Sequence, residues 1–342
     1  MKYCQLCRTN EADKKGSHIV PHFLLKRIEN IEGKTSRDYE LGFVIQSFDT
    51  IPHFGRSVPV EKLDEVFGEL TEKELALNRH PLVVDNLFCK SCEERLAKIE
   101  SEYAPTLQTY KKETYSSGVP SEIGLLFWMS VIWRISINQK SGVQLTKSQN
   151  EGLRRILNLT LREKVSEIDF ANFRNLKETK RISYRLIRCP EYSADNGTHM
   201  VWHPLLKHPY SLIIDEYLLF FAFKDNYNDF KRTSFFGMNK EIWEAPINKF
   251  NETEKIRPIN EEQLEQVNLE LIREIKIARV RTMNLFWDKL HVAIGGLGRS
   301  MPERIKHEIF DEIASEEKKM GRKYNLEDLK NSTYKVLRKY VG

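Results

Sequence analysis

The chain has 342 residues, with 54 Lys and Arg against 49 Asp and Glu, a formal net charge of +5, and 40% hydrophobic residues. That length is a prior for two domains with ordinary apolar cores, and the mild basic excess is compatible with nucleic acid without requiring it. No apolar h-region follows Met1, and the run Gly124–Trp133 falls far short of the ~20 residues that span a bilayer. Neither a secretory leader nor a membrane protein is therefore expected.

Five cysteines are present, and four form two Cys-x-x-Cys pairs, Cys4/Cys7 and Cys89/Cys92. Such a pair presents two thiolates to one ion from a tight turn, so two pairs predict a structural zinc staple in a reducing, cytoplasmic setting. Between the pairs lie 81 residues, more than a compact zinc ribbon needs, which predicts an insertion at about 28–85. Within it Leu41–Phe48 reads as a strand and Glu61–Leu77 as a helix. His53 and His80 read as loop residues. After Cys92 a helix follows at once, with Leu96, Ile99, Tyr103 and Leu107 at helical spacing.

Ser116-Ser-Gly-Val-Pro120 reads as a break, dividing the chain into residues 1–115 and 120–342. Beyond it, Ser121 to about Asn138 is apolar nearly all round and reads as a buried helix. Thr146-x-x-Gln149 is a capping box for the next helix, on which Arg154 and Arg155 read as solvated surface. Residues from about 180 to 238 are rich in β-branched and aromatic residues, with Asp215-Glu216 placed for a hairpin. Helical periodicity returns at Leu264, Val267 and Leu271, and a capping box at Ser300–Glu303 starts a further helix. Gly295-Gly-Leu-Gly298 lacks the spacing of a phosphate-binding loop and reads as a plain loop. His199, His203 and His208 lack partners at ligand spacing, and Cys189 reads as a thiol without a role.

Ser17-His18-Ile19-Val20-Pro21, followed by the Cys89-x-x-Cys92 knuckle opening a helix, resembles the Asp-His-Ile-x-Pro module of the HNH endonucleases. The resemblance covers residues 1–110 in two blocks. It implies an N-terminal zinc-stapled ββα-metal domain; taken with the patterns beyond residue 120, the chain is expected to be α+β, that domain being followed by a mainly helical domain with a small antiparallel sheet. The resemblance also implies a metal-dependent endonuclease acting on nucleic acid, DNA in the first place, in a role such as genome defence. His18 takes the position of the general base, Asn86 that of the residue orienting the imidazole, and Glu93 that of a ligand for catalytic Mg²⁺ or Mn²⁺. Glu94 and Asp85 are placed to share that ligand role. His22 and Lys26 are placed for nucleic-acid contact. Residues 120–342 would serve a protein partner or a homo-oligomer. Two departures stand out: Ser17 replaces the usual aspartate and Glu93 the usual histidine. The alternative is a zinc-stapled module that binds nucleic acid or protein and no longer cuts.

Overall fold

The computed structural model describes residues 2–25, 41–45, 50–54, 83–138, 143–192, 200–224, 239–250, 252–320, 324 and 326–340. In chain order its regular elements begin with β1 (Ser17–His18), β2 (Leu41–Ile45), β3 (Thr50–Phe54), β4 (Val83–Val84) and helix α1 (Lys90–Tyr103). There follow β5 (Tyr115–Pro120), α2 (Ser121–Ile137), α3 (Lys147–Thr160), α4 (Phe170–Asn175), β6 (Ser183–Arg188), β7 (Met200–Lys207), β8 (Tyr210–Ile214) and β9 (Tyr217–Ala222). The last are α5 (Asn239–Glu244), β10 (Thr253–Pro258), α6 (Glu261–Ala293), α7 (Glu303–Met320) and α8 (Leu326–Leu337). The expected helix at 61–77, together with Lys26, His80 and His199, lies outside the described residues.

The architecture is mixed α+β, in two compact units: Met1–Ile28 with Pro81–Leu271, and Glu29–His80 with Ile272–Gly342. The apolar core of the first unit is continuous from Cys4 and Leu6 through Phe88, Leu96, Trp128 and Leu157 to Leu219 and Ile256. It thus runs straight across positions 115–120. Tyr115–Pro120 forms a strand because β10 supplies its backbone partners, pairing Tyr115 with Ile256 and Pro120 with Thr253. Gly118, at φ 88, carries the left-handed backbone there that other residues resist.

α2 is the central helix of this unit, with every residue from Ser121 to Ile135 buried. Its composition explains that position: an apolar surface on all sides has to be covered on all sides. Trp128 and Trp133 are among the largest wholly buried side chains. α3 begins on the anticipated capping box, Thr146 accepting from the Gln149 amide and the Gln149 side chain from the Thr146 amide.

Six strands form the main sheet in the order β5-β10-β6-β9-β8-β7, antiparallel throughout except for the β10–β6 pair. β6, β8 and β9 are buried along their whole length. The β8–β9 hairpin turns at Asp215-Glu216, where Asp215 takes a left-handed φ of 50 that Asp tolerates. β2 and β3 pair antiparallel, with Leu41 opposite Phe54.

The second unit has its own core. Met283 and Trp287 of α6 pack with Met301, with Ile305, Ile309 and Ile313 of α7, and with Leu329, Val336 and Leu337 of α8. No described helix is long and apolar enough to cross a membrane.

Candidate metal centre and the adjoining polar cluster

The first knuckle is a tight turn in which Cys4 accepts from the Arg8 amide at 2.9 Å and donates its own amide to Asn10 at 2.9 Å. Arg8 sits at φ 60 to close it. The second knuckle opens α1, with Cys89 at its N-cap and the Glu93 amide bonded to the Cys89 carbonyl at 3.0 Å. Backbone pairing brings the two together across the long insertion: Gln5 donates to Leu87, and Lys14 to Phe88.

The result is one cluster. The Sγ atoms of Cys4, Cys7, Cys89 and Cys92 all lie within 4.8 Å of one another, and Cys7 and Cys89 stand 4.0 Å apart. Four thiolates at ~2.3 Å from a tetrahedral zinc are about 3.8 Å apart, so this donor set fits that ion. All five cysteines are free thiols, and Cys189 lies away from the cluster, buried. Among the described residues no other group of three or more His, Cys, Asp or Glu is close enough to hold a metal.

The surroundings suit thiolates. Asn10 directs its amide at Cys89 Sγ (3.7 Å), and Arg95 places a guanidinium nitrogen 3.0 Å from Cys92 Sγ. Four thiolates and one Zn²⁺ carry a net charge of about −2, which Arg95 partly offsets. The Cys4 thiol is held down to about 4, first by the hydrogen bond from Cys92, while the same bond pushes Cys92 up.

Beside the cysteines, β1 pairs with β4, Ser17 opposite Val84 and His18 opposite Val83. α1 then follows directly. This strand pair and helix bring the Ser17 hydroxyl within 3.0 Å of Glu93 Oε2, to which it donates. Ser17 is buried and His18 half-buried. Burial pushes the Glu93 carboxyl above the ordinary carboxylate range, opposed by the Ser17 hydrogen bond and the charge of Arg134.

Arg134, from the middle of α2, is buried behind this group. Its Nη1 donates to the His18 carbonyl at 3.0 Å and to Glu100 of α1 at 2.6 Å, and its Nε donates to the Ser130 carbonyl. A charge this deep is retained only when paired and hydrogen-bonded, and both conditions hold. In the sequence Arg134 shows only as an interruption of an apolar run, a signal that a buried charge has a partner elsewhere.

The remaining candidates fall as follows. Asn86 is exposed and left-handed (φ 57), with its amide bonded to the Lys14 carbonyl. That conformation by itself favours asparagine. Asp85 accepts from the Gly16 amide at 2.8 Å at the end of the β1–β4 pair; Glu94 is exposed. His22 begins a short 3-10 turn, His22–Leu25. Arg154 is not a surface residue: its Nη1 donates to the Leu6 carbonyl at 2.8 Å and it pairs with Glu151, bracing the first knuckle from α3. Asn10 and Arg95 are not legible in the sequence, because nothing local marks a side chain that will turn toward sulfur.

Comparison with protein-family models, with curated proteins and with solved structures returns no match.

Proposed function

We propose that the strand pair β1–β4 and helix α1, stapled by zinc on Cys4, Cys7, Cys89 and Cys92, form a metal-dependent endonuclease site of HNH type acting on nucleic acid, DNA first. The observation that carries this reading is the contact between Ser17 and Glu93 at 3.0 Å, one residue from His18 on an antiparallel strand pair, β1–β4, whose second strand is followed by helix α1. These two positions are where the resembled family carries its metal ligands.

In this reading His18 takes the proton from the attacking water, a task that suits a group titrating near neutrality. Ser17 and Glu93 offer two hard oxygens, a small set that suits a Mg²⁺ or Mn²⁺ retaining several waters. Such an ion supplies charge neutralisation at the phosphate and the leaving oxygen. Arg134 fixes the strand through the His18 carbonyl. Asn86 orients the imidazole on the strength of the resemblance alone.

One observation favours a second reading. The Ser17 hydroxyl already satisfies Glu93 within the protein, as in a module that keeps the staple and binds without cutting. Nicking of supercoiled plasmid with Mg²⁺ or Mn²⁺, and cleavage of single-stranded DNA and RNA, decide between them. Wild type should cut, and His18→Ala should not while retaining its zinc. A zinc-loaded wild type inert on every substrate and metal would sink the nuclease reading.

A further inference from the structure

The cysteine cluster is gripped at both knuckles by one helix, α3. Arg154 of α3 donates to the Leu6 carbonyl, inside the Cys4–Cys7 turn, at 2.8 Å. One helical turn further along, on the same side of α3, Asn158 meets Arg95 of α1 beside the second knuckle. Arg95 Nη2 stands 3.0 Å from Cys92 Sγ and 3.3 Å from Asn158 Oδ1. Its Nη1 donates to the carbonyls of Asn158 and Leu161 at 3.4 and 3.3 Å. A single guanidinium thus joins a metal ligand to the end of a neighbouring helix.

Both sides of that bridge are electron-rich. Leu161 is the C-cap of α3, and the last carbonyls of a helix have no amide partners within it, so partial negative charge collects there. A zinc tetrathiolate carries about −2, and Cys92 is buried, where water does little to screen that charge. The neighbouring arginines have their charges matched by carboxylates: Arg8 and Arg154 by Glu151, and Arg134 by Glu100. Arg95 has no carboxylate partner among the described residues. Its charge is left for the sulfur and the helix end.

We propose that Arg95 is a positioning residue for zinc, a counter-charge shared between the thiolates and the C-terminus of α3, so that holding the metal and docking α3 reinforce each other. Such a coupling is reciprocal: what α3 adds to zinc affinity, zinc adds to the docking of α3. Fork geometry explains the choice of residue. A planar guanidinium reaches a sulfur, a side-chain amide and two carbonyls at once, which the point charge of a lysine ammonium does not. This coupling rests on the zinc staple proposed above and holds whether or not the chain cuts nucleic acid.

Competition with a chelator on the full chain gives the zinc Kd, and Co²⁺ in place of zinc reports on the sulfurs through its thiolate charge-transfer band. Arg95→Leu, which removes the charge and the N–H groups, should raise the zinc Kd about 10–100-fold. Its Co²⁺ band should move to lower energy, because a sulfur that loses a hydrogen bond gives up electron density more easily. With zinc saturating, hydrogen–deuterium exchange in the last turn of α3 should be faster than in wild type. Arg95→Lys restores the charge without the fork, and its Kd should fall between the two. Faster exchange with an unchanged Kd and band makes Arg95 a cap of α3 alone and overturns the proposal. If Arg95→Leu does not fold, Arg95→Lys decides, and a wild-type Kd and band there overturn it. A wild type that takes up no zinc sinks the staple and the proposal with it, whereas a zinc-loaded wild type matched by Arg95→Leu sinks the coupling alone.

Discussion

Gly124 and Gly152 both lie within helices, α2 and α3, yet replacing each by alanine should move stability in opposite directions. At Gly152 a Cβ meets nothing within 4 Å. Alanine there should stabilise by about 0.5–1 kcal/mol, the usual helix-propensity gain. At Gly124 a Cβ would lie 2.5 Å from Tyr184 Oη and 2.8 Å from Glu254 Oε1. Glu254 is wholly buried and accepts from Tyr184 at 2.6 Å, from Tyr103 at 3.0 Å and from Trp128 at 3.2 Å. Making room costs about 1–3 kcal/mol in overpacking, and displacing one donor from a buried carboxyl costs about 1–3 kcal/mol more. Set against the propensity gain, Gly124→Ala should destabilise by about 2–4 kcal/mol. Because the chain has two compact units, the measurement should read the first one by itself. Hydrogen–deuterium exchange of peptides from 121–137 does so. If Gly124→Ala slows exchange there, or matches Gly152→Ala, the close approach of α2 to the carboxyl is refuted.

Cys4→Ser should lower zinc content from one ion per chain and speed exchange across residues 2–25 and 83–103, as read by elemental analysis and mass spectrometry; a strong chelator should do the same to wild type. Arg134→Ala strips the pairing from Glu100 and should cost about 3–5 kcal/mol while leaving zinc in place, since its hydrogen bonds go to Glu100, Ser130 and the His18 carbonyl. A variant as stable as wild type in urea would contradict the buried pair. Burial pushes Glu254 above its ordinary value of 4.5, so the folded chain holds that proton more tightly than the unfolded one. That contribution is complete below the unfolded pKa and is lost as pH rises through the folded one. The Tm of wild type minus that of Glu254→Gln should therefore fall across this window. Protonation of the zinc thiolates at low pH acts on both chains and cancels in the difference.

Much of the fold was legible locally. The all-round apolar pattern of Ser121–Ile137 meant burial, Thr146-x-x-Gln149 meant a helix start, and Asp215-Glu216 meant a tight hairpin. Thr50–Phe54 is a strand rather than a loop, with His53 opposite Gly42, and two strands of the main sheet were not legible either. Thr253–Pro258 alternates too many charges to read as a strand, and Tyr115–Pro120 carries the glycine and proline of a linker. Each is a strand only because the other, with β6, supplies its hydrogen bonds. Glu254 shows the same limit, since nothing beside it in sequence announces a buried carboxyl caged by Tyr103, Trp128 and Tyr184.

For the two cysteine pairs the sequence alone determined the ligand type, since thiolates at that spacing select a soft tetrahedral ion whatever surrounds them. The resemblance to the HNH module, and not spacing or periodicity, is what put Ser17, His18 and Glu93 in one candidate group. What only tertiary structure decided is that all four sulfurs meet at one point, that Ser17 hydrogen-bonds Glu93, and that Arg134 of α2 holds the His18 strand. The physical reason is range. Spacing and periodicity act over a few residues, whereas these contacts join positions 76 to 116 apart in the chain, and which partners meet is settled by the packing of the shared core.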